Sequence, residues 1–274
     1  MIVHFNLTIM KTFIAFGFAV MSLVAYGQGG PSGGRPVVSS ELYEWKEPTT
    51  KQAGLNSSVI FEGSAYDFEY MAMDACVITS KKTTMLEVPK DQEHLLMVKS
   101  GRLKISFGDS TWAIGPGSVA LLLPSEKFSI AASDATSCKF YRMKYRSKDP
   151  IDIARGRNAG GSFVKDWDKL RFREHSRGGV RSYFERPTAM SKRFEMHVTT
   201  LNPDLRSHDP HTHRAEEIIL MLENPAGESK AEMLIGINSF KGGEGDLFYV
   251  GTNLLHGIKN IGTVPCSYFA FQFE

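Results

Sequence analysis

Cysteine is scarce in this chain, with three in 274 residues, too few for a disulfide-stapled scaffold. No block of like charge occurs, and 32 Lys and Arg against 30 Asp and Glu leave a formal net charge of +2. Electrostatics therefore gives no reason to expect a nucleic-acid partner. Long stretches of helical periodicity are missing, which argues against a helical bundle. Beyond the first 27 residues no run is apolar enough to span a bilayer. The rest of the composition is ordinary for a globular protein, 23% charged and 42% hydrophobic, so a largely disordered chain is excluded. Eighteen Phe, nine Tyr and 25 Gly suit aromatic-rich strands joined by many turns.

The N-terminus reads as an address. Met10-Lys11-Thr12 precedes an apolar run from Phe13 to Val24, followed by Ala25-Tyr26-Gly27-Gln28. A basic residue, a short apolar core and small residues two apart make a secretory signal, 1–27, with cleavage near Gly27 and Gln28. The run is shorter than the roughly 20 residues of a membrane anchor. The expected location is therefore periplasmic or secreted, with no membrane contact once the leader is removed. Residues 28–40 follow as a flexible lead-in. In such a compartment Cys76 and Cys138 could pair; the plainer reading is three buried thiols, Cys266 included.

The remainder is a repeat. Phe61-Glu62 recurs as Phe184-Glu185, an offset of 123, and at that offset Met73 falls on Met196, Glu93 on Glu216 and Leu95–Val98 on Ile218–Met221. Gly117 and Cys138 fall on Gly245 and Cys266 at an offset of 128, so five extra residues lie between Asn224 and Gly245, as a lengthened turn at Asn224–Ser229. Short alternating or apolar runs separated by Gly, Pro and Asn predict an all-β chain of sandwich or barrel type. The expected domains are 41–148 and 181–274. Between them, 149–180 is charged and poor in apolar residues and reads as a linker, with one short helix around Phe163–Leu170.

Chemistry concentrates in the second half. Five of the eight histidines lie within 181–274: His197, His208, His211, His213 and His256. Residues two apart on an extended strand share a face, so His211 and His213 point together, and Glu217 keeps the same parity. A fourth ligand has to come from another strand, and His256 is the candidate. Three neutral imidazoles and a carboxylate suit a divalent Mn, Fe, Ni, Co, Cu or Zn ion. Ion and ligands together carry about +1 charge, which favours an anionic oxygen ligand on a small-molecule substrate. Glu195 and His197 lie on one face of an alternating strand; if that face is the barrel interior they are candidate acid/base groups or partners that orient the ligands, and otherwise they face solvent. Arg214 is a candidate receptor for a substrate carboxylate, with a solvated rim charge the plainer reading; Tyr249 is a packing residue or a donor of a hydrogen bond into the site. Glu216 alternates away from Glu217 and is expected to point out of its barrel.

These residues resemble the motifs of the cupin superfamily. His211-Thr212-His213 followed by Glu217 matches its first motif, with Asn224 where Gly is usual. Gly245, then Gly251-Thr252-Asn253, His256 and Asn260 match the second, with Gly251 and Asn253 in place of the usual Pro and Gly. The resemblance implies two tandem cupin (double-stranded β-helix, jelly-roll) barrels with the metal in the mouth of the second. In the first half, His211, His213 and Glu217 fall on Val88, Lys90 and His94, and His256 on Phe128, so the N-terminal barrel is expected to be degenerate and metal-free. The layout is similar to that of the (S)-ureidoglycine aminohydrolase family, whose ligand pattern is instead Glu-x-His-x3-His plus Gln. The three-His-one-Glu set is nearer that of quercetin-type dioxygenases. A metal-dependent enzyme is the leading expectation and a non-catalytic small-ligand or sugar-binding barrel the alternative; family resemblance also suggests a homodimer.

Overall fold

The structure, a computed structural model, describes residues 34–49, 54–133, 137–224 and 226–274; the leader at 1–27 and residues 28–33 of the lead-in lie outside them. The fold is all-β, as the spacing of short strands predicts, and forms two tandem jelly-roll barrels, as the cupin resemblance implies. No helix among the described residues is long and apolar enough to cross a membrane.

Each barrel is a large sheet folded over a small one. In the N-terminal barrel the large sheet runs Phe163–Lys165, Val119–Leu122, Glu93–Ser100, Cys138–Ser147, Phe68–Ile78, Leu55–Gly63, and Thr84–Glu87, Lys127–Ala132, Leu103–Phe107, Ser110–Ile114 form the small one. In the C-terminal barrel the large sheet runs Leu42–Tyr43, Leu247–Val250, Glu216–Met221, Cys266–Phe273, Phe194–Leu201, Gly178–Arg186, Arg173–His175, opposite Asn238–Gly243, Lys230–Ile235, His256–Asn260.

The repeat holds at the level of hydrogen-bonded register. His94 pairs with Lys144 and Leu122; at offsets of 123 and 128 Glu217 pairs with Gln272 and Val250. A bulge between Val59 and Phe61 reappears between Ser182 and Phe184, where the inserted residue sharpens the local twist.

The outermost strands are exchanged. Leu42–Tyr43 precedes the N-terminal barrel yet pairs with Phe248 and Leu247 of the C-terminal one. Phe163–Lys165 precedes the C-terminal barrel yet pairs with Val119–Leu121 of the N-terminal one. The segment 149–180 is thus more than the linker its composition suggests. It supplies that edge strand, a helix at Ile153–Asn158, a single 3₁₀ turn at Trp167–Lys169 and half of a hairpin through Arg173–His175. The α-helix lies ahead of the expected 163–170 because Asp152 caps it, its carboxylate accepting the Arg155 N–H at 2.8 Å.

The two large sheets pack face to face, which explains the unbroken apolar runs in the sequence. Leu95 and Met97 join the core between the barrels and Leu96 and Val98 the interior of their own. In the second half Ile218 and Leu220 face outward to the same shared core, and Ile219 and Met221 inward. A strand covered on both faces loses its polar alternation. Cys76, Cys138 and Cys266 are all buried and no disulfide joins them.

Two carboxylates interrupt this shared core at equivalent places. Glu216 does point out of its barrel, as parity requires, but outside that barrel lies the other sheet, and the side chain is buried. It accepts the Tyr66 N–H at 2.7 Å, the Asp67 N–H at 3.4 Å and the Tyr249 hydroxyl. Glu93 accepts the Ala189 N–H and the Thr188 hydroxyl at 2.8 and 2.7 Å. Tyr66 and Ala189 are themselves 123 residues apart, so each barrel clamps the same loop of the other.

Candidate metal centre

The segment before the strand Glu216–Met221 is not itself strand. His211 forms an isolated antiparallel bridge to His256, with backbone N–H···O distances of 3.0 and 2.9 Å, and the Asn253 N–H donates to the His213 carbonyl at 2.8 Å. Asn253 has φ +56, a left-handed conformation that Asn tolerates better than most residues. It therefore serves where the resemblance leads one to expect Gly. These contacts stitch the first motif to the second and bring residues 40 positions apart into one cluster.

His211, His213 and His256 each offer a ring nitrogen, all within 4.8 Å of one another. Burial deepens from His211 at the mouth to His256 on the wall. Glu217 Oε2 stands 3.1 Å from His256 Nε2 and 3.8 Å from His213 Nε2. The Nδ1 atoms of His213 and His256 lie 2.8 Å from the carbonyl oxygens of Ala215 and Leu254. A carbonyl accepts only, so the ring protons belong on Nδ1, and in the neutral rings each Nε2 presents a lone pair. His256 Nε2 is buried with no hydrogen-bond partner, although a carboxylate oxygen is beside it. Two lone pairs facing each other in a buried site repel unless a proton or a metal cation lies between them, and this donor set fits a divalent ion.

Without a metal, the Glu217–His256 pair itself draws positive charge. Burial raises the Glu217 carboxyl, but His256, Gln272 and His213 outweigh it and hold it below the usual carboxylate range. Burial lowers His256, and Glu217 and the Leu254 carbonyl more than reverse this. His211 is lowered by burial and by the neighbouring imidazoles, which keeps it neutral and able to donate an electron pair.

The cluster opens on a cavity of about 320 Å³ inside the C-terminal barrel, lined by His211, Glu217 and His256 among others. His197 lines it as well. Glu195 stands behind, its Oε1 3.3 Å from His197 Nδ1 and its other oxygen held by Arg193. The other two expected substrate contacts are elsewhere. Arg214 sits on the turn before the strand, its guanidinium bound to Asp67 and Glu274, both at 2.9 Å. Tyr249 is in the core between the barrels with its hydroxyl on Glu216, because it occupies the outward face of its strand. Gln272 was not anticipated: its amide lies 3.3 Å from both Glu217 Oε1 and His213 Nε2. The signal was a lone amide in the apolar run Tyr268–Phe273, with the inward parity of Tyr268 and Ala270.

At the equivalent place the N-terminal barrel carries a charge cluster. Lys144 stands where Gln272 does and Asp74 where His197 does. The buried Asp74 carboxylate binds Arg142 at 2.8 Å and Lys144 at 2.9 Å, and Phe128, in place of His256, is buried. His94 is pushed down to about 3 by burial and by Arg142 and Lys144, so it stays neutral, with Nε2 3.3 Å from Gln92.

No protein-family model matches the chain, and no curated protein matches its sequence. Solved structures share its fold. Protein Ylba from E. coli superposes with a TM-score of 0.64 at 13% identity, over 89% of this chain and 95% of that one. An oxalate decarboxylase from Lactobacillus farciminis gives 0.61 at 14% identity, over 86% of each chain. A cupin 2 conserved barrel domain protein from Leptotrichia buccalis gives 0.55 at 13%, over 82% and 92%. At such identities the likeness concerns the fold alone, and that fold is the cupin barrel, present twice.

Proposed function

We propose that this chain is an exported, metal-dependent cupin enzyme acting on a small anionic organic molecule in its C-terminal barrel. One observation carries the reading: His256 Nε2 is buried 3.1 Å from a Glu217 carboxylate oxygen, with the ring nitrogens of two further imidazoles within 4.8 Å. His211, His213, Glu217 and His256 would hold the ion. A bound Mn, Fe, Ni, Co, Cu or Zn would supply Lewis acidity toward a substrate oxygen.

The chain's own residues do the rest. The Ala215 and Leu254 carbonyls fix the orientation of two imidazoles. Glu217 offsets one positive charge and leaves the site attractive to an anion. His197 faces the cavity with Nδ1 toward Glu195, so its Nε2 is free to take up or release a proton at the substrate. The apolar barrel wall behind excludes water. Hydrolysis is the reaction suggested by the ureidoglycine aminohydrolase-like layout. The ligand set and the neighbour named oxalate decarboxylase keep oxygen chemistry, isomerisation and decarboxylation of a small acid in the same class. Export rests on the leader at 1–27, and a homodimer on the family resemblance.

The test is metal analysis of the purified full chain. One divalent ion per chain is expected, and His256→Ala should weaken its uptake by at least about 100-fold, since loss of even an outer-shell partner costs 10- to 100-fold. A His256→Ala chain that binds the ion as tightly as the parent would refute the centre. A tightly held ion with no exchangeable water would make the barrel a binder instead of an enzyme.

A further inference from the structure

The hairpin joining Arg173–His175 to Gly178–Arg186 turns through Ser176 and Arg177, and His175, Ser176 and Arg177 line the rim of the metal-centre cavity. Its backbone is held tightly. Gly178 has φ +137, and a Cβ there would stand 2.1 Å from the Thr200 carbonyl oxygen, so only glycine lets the hairpin lie so close to the strand Phe194–Leu201. The Arg177 carbonyl accepts the Asn202 N–H at 2.9 Å, and its own N–H donates to His175 Nδ1 at 3.2 Å.

The side chain is treated differently. Neighbouring arginines are engaged: Arg173 donates to the Ser182 hydroxyl, Arg181 stacks between Trp167 and Phe172, and Arg193 binds Glu185 and Glu195. No hydrogen bond or ion pair takes up the Arg177 guanidinium among the described residues. The cavity it borders has Glu217 as its one acidic lining residue, and that carboxylate is directed at the imidazoles. Deeper in, the wall is Leu201, Ile219, Met233 and Ile258.

We propose that Arg177 is the specificity-determining residue of this cavity and receives the carboxylate of a small acid whose apolar body rests on the barrel wall. This deepens the proposed function by naming the substrate class. A rigid backbone holds a planar fork of donors suited to bidentate carboxylate recognition. A volume of about 320 Å³ lies at the small end of ligand sites.

The experiment is calorimetric titration of the full chain, as purified and after chelation, with 3-phenylpropanoate and with its uncharged amide. The parent is expected to bind the acid at least tenfold more tightly than the amide in both states. Arg177→Met should erase that preference, Arg177→Lys should restore part of it, and His256→Ala should keep it. Equal binding of acid and amide by the parent, or an undiminished preference in Arg177→Met, would overturn the proposal. A parallel Co²⁺ absorption titration, expected to be lost in His256→Ala and kept in Arg177→Met, reads the metal centre separately. Failure there strikes the proposed function and leaves the Arg177 result standing.

Discussion

Glu216 offers a direct measure of what holds the two barrels together. Its carboxylate is 2% exposed and satisfies the Tyr66 N–H, the more distant Asp67 N–H and the Tyr249 hydroxyl. Glu216→Ala would leave at least two of these donors orphaned between packed sheets, each at about 1–3 kcal/mol. Part of the loss is offset because burial raises the Glu216 pKa, so the ionised group is itself costly to keep there. A net destabilisation of about 2–4 kcal/mol is expected. At roughly 2–4 °C per kcal/mol for a domain of this size, the melting temperature should fall by about 4–16 °C. Glu216→Gln keeps the oxygen that accepts both the Tyr66 N–H and the Tyr249 hydroxyl and gives up only the 3.4 Å contact with the Asp67 N–H, so it should cost less than about 1.5 kcal/mol. Guanidinium unfolding followed by circular dichroism measures both variants, with Co²⁺ uptake as a control expected to be unchanged, because Glu216 faces away from the cavity. An alanine variant within about 0.5 kcal/mol of the parent, or glutamine as damaging as alanine, would refute the clamp.

Burial also raises Glu93 above the ordinary glutamate value of 4.5, and Thr188, Tyr145 and Ala189 only partly counter this. The stability it contributes is therefore complete below the unfolded-state value and declines as pH rises through the folded-state one. Relative to Glu93→Gln, the parent should lose stability as the pH is raised from 4.5 in denaturant titrations; the opposite slope would contradict the assignment. Gly178→Ala should destabilise the chain by more than about 1 kcal/mol, given φ +137 and the contact with the Thr200 carbonyl, and should expose the hairpin at Arg177 to limited proteolysis; a variant as stable and as resistant as the parent would count against that close approach.

Much of this architecture is legible in the sequence because register leaves a trace. Offsets of 123 and 128 align residues that occupy equivalent ladder positions, and the four clustered donors are spaced as the first motif and a distant strand require. Alternation, however, tells which face a residue is on and not what covers that face. Glu216 and Tyr249 are turned away from the cavity as alternation dictates, yet nothing local says that another sheet is waiting there. Arg214 is one residue from His213, but it lies on a turn, where parity no longer places side chains, and the carboxylates of Asp67 and Glu274 claim it. Arg177 was hidden for a different reason: a charged, glycine-containing segment has the composition of a linker, and only the pairing of Arg173–His175 with Gly178–Val180 carries it to the rim.

The crossing of Leu42–Tyr43 and Phe163–Lys165 into opposite barrels has a bearing on how this protein can be cut and how it could have arisen. Severing the chain near residue 150 yields halves that each lack an edge and carry a stray one, so the fragments should pair with each other or with copies of themselves sooner than stand alone. The same geometry is what a symmetric pair of single barrels would leave behind after fusion. Once joined, one twin could surrender its chemistry and persist as scaffold, provided it still lent its strand.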